Sequence, residues 1–153
     1  MTTSSAQRHL TGKLTVRLPP DRAFRLFTPL GEQDWVQGWK PHFPAGVTDD
    51  TTPGTVFETS AHDQPTTWVV VDCERNRRIS YARVAPQVEA GTITVTLDEV
   101  GGHSDVTVTY VLTSLTDDAQ PRLHEFAAHY PAFLRSWQDA IAASLHLSEA
   151  PRC

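Results

Sequence analysis

Cysteine is scarce: two in 153 residues, too few for a disulfide framework. Cys73 falls inside a predicted strand and Cys153 at the last position, and both read as free thiols. Long apolar runs are absent as well. The longest, Trp68 to Val71, falls far short of the ~20 residues that cross a bilayer, so no membrane span is expected. Basic charge is in deficit, with 13 Lys and Arg against 18 Asp and Glu and a formal net charge of -5. No basic stripe marks a nucleic-acid surface, and none is expected. The longest basic cluster, Arg75-Asn76-Arg77-Arg78, reads as a turn between strands. The polar opening Met1-Thr2-Thr3-Ser4-Ser5 has no apolar h-region, so a secretory leader is not expected and a cytoplasmic location is. Repeats, low-complexity tracts, a phosphate loop, a nucleophile elbow and a dinucleotide fingerprint are all missing. Gly101-Gly102 is read as a hairpin turn.

What is present fits one globular domain, with 39% hydrophobic and 20% charged residues. It is expected over residues 9–147, with residues 1–8 and 148–153 as flexible termini. From His9 to Leu18 apolar and polar residues alternate with period two, which predicts a strand. Pro19-Pro20 ends it. Ala23, Phe24 and Phe27 then follow at helical spacing, and Thr28-Pro29 opens a second short helix towards Trp35. Residues 37–53 predict loop with one short strand at most. Five further strands are predicted over residues 55–60, 66–73, 78–85, 92–100 and 105–114, all rich in Val, Ile, Thr, Tyr or Trp. Their short connections predict antiparallel pairing of neighbours.

After Thr116 a long amphipathic stripe runs through Leu123, Phe126, Tyr130, Phe133, Leu134, Trp137, Ile141 and Leu145. Asp118 is the expected N-cap and Pro121 falls in the first turn. Pro131 lies inside the stripe without changing its phase, which predicts one bent helix. A six-stranded sheet is ~28 Å wide and a helix ~10–12 Å across. One helix cannot cover such a sheet, so the sheet must curl round it. The space left between them is a candidate ligand cavity.

The residues Pro20 to Phe27 after the first strand, Gly54-Thr55-Val56-Phe57, Ile79 to Val84, the hairpin from Gly91 to Tyr110 and the last helix around Phe133 to Ile141 together resemble the START-like, or helix-grip, superfamily. It is also labelled SRPBCC and includes polyketide cyclases/aromatases and pollen-allergen-like proteins. The resemblance runs from about His9 to Leu145. It implies an α+β helix-grip fold: a curved antiparallel sheet of six to seven strands around a long C-terminal helix, with two short helices after the first strand. Hydrophobic-ligand binders, cyclases, lipid carriers and chaperone activators all share that fold, so function must be argued from the site.

His124-Glu125-Phe126-Ala127-Ala128-His129 is one residue too long for a zinc signature. Five helical steps set its histidines about 140° apart, so no metal is expected there and no cofactor is implied. The candidate chemistry is a set of polar groups on inward faces. If Ile79 points inward, so do Tyr81 and Arg83, and Tyr110 shares a face with Val106 and Val108. An inward Arg83 requires a carboxylate, water or an anionic ligand; with the opposite phase, or at a strand end, it snorkels out. Tyr81 and Tyr110 read either as core tyrosines or as groups that polarise a carbonyl. Trp35 and Trp39 are either ring-binding walls or plugs. Trp35, Trp39, Trp68, Tyr81, Arg83, Val95, Val108, Tyr110, Phe126, Tyr130 and Phe133 are the candidate cavity lining. Three functions stay open: binding a small hydrophobic or aromatic molecule, a cofactor-free cyclase, aromatase or dehydratase in the same cavity, or chaperone-activator-like partner binding. A homodimer is also open.

Overall fold

A computed structural model describes residues 6–60 and 63–149, with the backbone alone over residues 147–149. Cys153 and the outermost residues of both expected flexible termini lie outside the described residues.

Six strands form one antiparallel sheet: β1 (Gln7–Val16), β2 (Val56–Thr59), β3 (Thr66–Glu74), β4 (Arg78–Ala85), β5 (Glu89–Val100) and β6 (His103–Ser114). Their spatial order is β1-β6-β5-β4-β3-β2, so the first and second strands form the two edges. β1 starts earlier than the expected boundary, because Gln7 and Arg8 already pair with Thr113 and Leu112. The loop after residue 37 touches the sheet once, where His42 bridges to Glu58.

The strands form where apolar and polar residues alternate. Ile93, Val95 and Leu97 on β5 and Val106, Val108, Tyr110 and Leu112 on β6 turn inward and are buried. The threonines between them stay on the outer face. Gly101 and Gly102 join the two strands with φ of 59° and 83°, a conformation that favours glycine. On β3 the register slips between Val70 and Asp72. The extra residue, Val71, puts Cys73 in phase with buried Ile79.

After β1, helix α1 (Pro20–Ala23) starts on Pro20, whose missing N–H is harmless there. Two 3-10 turns follow, Phe24–Phe27 and Gly31–Asp34. At the C-terminal end, helix α2 (Gln120–Ala128) and helix α3 (Tyr130–Glu149) replace the expected single bent helix. Pro131 has no N–H for the carbonyl of Ala127, and His129, at φ -110° and ψ 16°, absorbs the turn between them. Asp118 does not cap α2: it lies in a 3-10 turn, Asp117–Ala119, whose own cap Thr116 accepts from the Ala119 N–H at 3.3 Å, and α2 then starts from Ala119 with no side-chain cap bond. α3 also runs past the expected boundary to Glu149.

α3 packs chiefly against β1. Gly12 makes the close approach there: a Cβ at that position would come within 2.5 Å of the Leu134 side chain. The helix therefore lies against one edge of the curved sheet. Towards β3 and β2 the sheet's inner face is left for the short turns and for a cavity.

Candidate functional site

The cavity's floor and one wall come from the segment after β1. Thr28 organises that segment: its hydroxyl donates to the Arg25 carbonyl at 2.8 Å and accepts from the Gly31 N–H at 3.1 Å. A Cβ on Gly31 would run into the Arg25 carbonyl oxygen, so only glycine fits the turn this tightly. The Asp50 carboxylate accepts from the Leu30 N–H at 2.8 Å and anchors the same turn from the outer loop. The Trp35 and Trp39 indole N–H groups donate to the carbonyls of Leu26 and Pro29. These bonds fix where Glu32, Val36 and Trp39 project.

Opposite them, β2 to β6 present a row of aromatic rings. Phe57 and Trp68 stack at 5.6 Å, and Tyr81 meets both edge-on at 6.0 and 6.1 Å. Across the cavity Tyr110 meets Phe133 at 6.0 Å and Trp137 at 6.5 Å. Between these groups lies an inner chamber of about 190 Å³, walled by Glu32, Val36, Trp39, Phe57, Trp68, Tyr81, Ile93, Val95, Tyr110, Phe133 and Trp137. Adjoining it is a mouth of about 340 Å³, which shares Val36, Trp39, Trp68, Tyr110 and Phe133 and adds Arg83, Glu89, Arg122 and Phe126 among others. An apolar cavity of ~150 Å³ holds a benzene, so the chamber takes one ring and the mouth leaves room for more.

Of the residues singled out from sequence, Trp39, Trp68, Tyr81, Val95, Tyr110 and Phe133 wall the chamber, and Arg83 and Phe126 belong to the mouth. Trp35, Val108 and Tyr130 wall neither. Trp35 is a plug, packed edge-on against Phe27 and Trp137. Val108 is fully buried in the core, and its carbonyl accepts the Tyr130 hydroxyl at 2.6 Å. Sequence reasoning missed Glu32, Val36, Phe57, Ile93 and Trp137. Of these, Ile93 and Trp137 carried a usable signal, the inward phase of β5 and a place on the apolar stripe.

Arg83 points inward and brings its own partner. Its guanidinium bonds the Glu89 carboxylate at 2.7 Å, with the side chains 14% and 17% exposed, and lies over the Trp68 ring at 5.2 Å. Gly91, its neighbour on β5, leaves the next inward position without a side chain. The Arg83 Nε is buried without a partner among the described residues. Breaking so enclosed a pair strands the other charge. Glu89→Ala is expected to cost roughly 2–3 kcal/mol in urea unfolding, below the full buried-pair figure because some solvent contact remains. Replacing Arg83 and Glu89 together by Met and Leu should recover most of that loss; if the double change costs as much as the single one, the pair is not what Glu89 contributes.

The tyrosines play different parts. The Tyr81 hydroxyl is committed to the Phe27 carbonyl at 2.7 Å, and burial pushes its pKa well up. The Tyr110 hydroxyl has no hydrogen-bond partner among the described residues and faces the cavity. Burial raises its pKa, partly offset by the positive Arg83 and reinforced by Glu32.

Glu32 is half-buried, lines the chamber, and its carboxyl lies near enough to Tyr81 and Tyr110 to oppose their ionisation. Desolvation holds its pKa well above 4.5, and no ion pair or side-chain hydrogen bond relieves it among the described residues. The sign of the linkage follows. Below 4.5 folded and unfolded chains both carry the proton. As the pH rises the unfolded chain gives it up first, so stability falls until the folded carboxyl ionises. Glu32→Gln should match the parent at about pH 4 and melt higher at about pH 8. Equal melting temperatures at both would show a carboxyl open to water.

The histidines of the sequence motif are engaged elsewhere: the His129 ring contacts the Glu125 carbonyl at 3.0 Å and the His124 ring contacts Arg8 at 3.2 Å. No group of three or more metal-ligating side chains occurs among the described residues. No helix among them is long and apolar enough to cross a membrane.

Comparison with solved structures gives the same architecture at low identity. A protein from Mesorhizobium loti superposes with a TM-score of 0.67 at 18% identity, covering 89% of this chain and 98% of its own. The Zhui aromatase/cyclase from Streptomyces sp. R1128 gives 0.66 at 17% identity, with 94% and 97% covered. Norcoclaurine synthase from Thalictrum flavum gives 0.65 at 12% identity, with 94% and 88% covered. These likenesses show the helix-grip fold. No curated protein matches the sequence significantly. A family model does match, over residues 17–143, which begins just after β1 and takes in the whole cavity and most of α3: the chain belongs to the Activator of Hsp90 ATPase homolog 1-like family.

Proposed function

We propose that this protein binds a small, flat aromatic or hydrophobic molecule in the chamber between the sheet and α3. The observation that carries the reading is the aromatic chamber itself, about 190 Å³ opening on a mouth of about 340 Å³. Apolar contact supplies most of the affinity there, at roughly 25 cal/mol per Å² before the costs of association. An open chamber argues for a cavity function over the chaperone-activator-like alternative, in which a filled core and an apolar surface patch would carry the work. The location that goes with this reading is cytoplasmic.

A cofactor-free cyclase, aromatase or dehydratase is the second reading, and Tyr110 favours it. A free hydroxyl in an apolar chamber, kept protonated by burial, can donate to a carbonyl or an enolate oxygen as charge develops there. The aromatase/cyclase and norcoclaurine synthase among the structural neighbours are consistent with such chemistry on this fold.

Native mass spectrometry of the purified protein should show an adduct of small-molecule mass. A polarity-sensitive aromatic dye should quench or shift tryptophan emission, since Trp39, Trp68 and Trp137 all wall the chamber. The absence of both adduct and quenching would count against both cavity readings.

A further inference from the structure

The chamber is almost wholly aromatic and aliphatic, yet it contains one carboxyl group. Glu32 stands on the 3-10 turn Gly31–Asp34, held by the Thr28 and Asp50 bonds that shape the turn. Nothing in the chamber answers its charge. β4 brings Tyr81, whose hydroxyl is already spent on Phe27. β2 brings Phe57, β5 Ile93 and Val95, and α3 Phe133 and Trp137, none of which titrates. On its own segment, Arg25 and Asp34 pair with each other out in solvent, 67% and 51% exposed. Arg83 is held in the mouth by Glu89 at 2.7 Å. Two other chamber-lining groups have no hydrogen-bond partner among the described residues, the Tyr110 hydroxyl on β6 and the Trp137 indole N–H on α3.

Such surroundings favour the neutral carboxyl, and a neutral carboxyl is a hydrogen-bond donor. Two O–H donors then meet one apolar chamber, from the short turn on one side and from β6 on the other. A ligand whose oxygen reaches both satisfies both. One that brings none leaves both dry, at the cost of two unmade hydrogen bonds. We propose that Glu32, in its protonated form, and Tyr110 together hold the ketone or phenol oxygen of a flat aromatic ligand. This deepens the proposed binding function and rests on it. The direction of the Glu32 pKa, well above the usual carboxylate value, agrees with the geometry. So does the coupling by which a charge on Glu32 works against ionisation of both Tyr81 and Tyr110. A protonated acid and a tyrosine are a known way of stabilising an oxygen that gains negative charge in an apolar site. The same pair would therefore serve the cyclase reading without change.

The test compares naphthalene, naphthol and naphthylmethylamine as probes, followed by tryptophan quenching from about pH 5 to about pH 8. Naphthol should bind roughly five- to tenfold more tightly than naphthalene at the acid end, and that advantage should shrink as Glu32 ionises. In Glu32→Gln the amide still donates, so the advantage should persist and lose its pH dependence. In Tyr110→Phe it should fall at every pH. If naphthol and naphthalene bind equally, or if the pH dependence survives in Glu32→Gln, the oxygen clamp is wrong while the cavity reading stands. If the ammonium probe gains affinity over naphthalene as the pH rises, Glu32 is a counter-ion instead and the clamp is overturned. Failure of all three probes to bind would overturn the cavity reading, and the clamp with it.

Discussion

Phe27→Ala is expected to cost roughly 3–5 kcal/mol of unfolding free energy, near the top of the range for a truncated core aromatic. Phe27 is 1% exposed and lies where three parts of the molecule meet. Its ring packs on Trp35 at 6.1 Å and on Trp137 at 6.5 Å, which ties the segment after β1 to helix α3. Its carbonyl takes the Tyr81 hydroxyl at 2.7 Å, which ties the same segment to the sheet. Removing the ring cuts the first tie and loosens the second, because the carbonyl's position depends on the turn that the ring holds down. Neighbouring rings cannot simply close the gap: the Trp35 indole is pinned by the Leu26 carbonyl, and Trp137 already faces the chamber. Tyr81→Phe separates the two contributions. It keeps the ring and removes only the donor to a buried carbonyl, and should cost about 1–2 kcal/mol. Urea unfolding of both variants is the measurement. A Phe27→Ala loss below about 1.5 kcal/mol would mean that the segment's grip on the sheet lies elsewhere.

Much of this architecture was legible in the sequence because it is written in periods. The alternation on β5 and β6 fixed which side chains go inward, and the same parity argument put Tyr81 and Arg83 on the Ile79 face. Parity reaches less far on β3, where one extra residue at Val71 resets the phase. Pro131 announced a disturbance but not its form. A single missing N–H can be absorbed by bending or by breaking, and His129 broke. The candidate site was harder for a physical reason. Inward phase says that a residue faces the core, yet only packing decides whether a cavity or another side chain lies in front of it. Val108 and Val95 share that phase; one is buried under Tyr130's hydrogen bond and the other walls the chamber. Glu32 was invisible for a related reason. It lies in a polar-looking stretch between Pro29 and Trp35, with no period to assign a face. Its turn is anchored by the Asp50 carboxylate, which accepts from the Leu30 N–H across 20 residues of chain, a contact that no local pattern encodes. The partner of Arg83 is a similar case: Glu89 lies six residues on, across a tight turn, and meets it through the pairing of β4 and β5.

Val36→Trp should abolish binding in the chamber while leaving the fold intact. Val36 is the aliphatic residue shared by chamber and mouth, and it projects from the segment that closes one wall. It is half-buried and outside the strands and α-helices, so a larger side chain has an exit towards solvent and the sheet need not move. Its backbone N–H remains bonded to the Glu32 carbonyl at 2.8 Å, so Glu32 keeps its place. The added indole competes directly for the volume a ligand ring would use. A cavity of about 190 Å³ that takes one ring cannot take two. We expect dye affinity to fall by at least about thirtyfold, equivalent to about 2 kcal/mol of lost binding, with stability changed by less than about 1 kcal/mol. Leu115→Trp is the control. Leu115 is 45% exposed and walls neither cavity compartment, so an indole there should leave dye affinity unchanged. If Val36→Trp binds the dye as the parent does, the dye is on the surface and the chamber is not the binding site. If Leu115→Trp weakens binding as much as Val36→Trp, the loss reflects a general effect of the added tryptophan rather than a filled chamber.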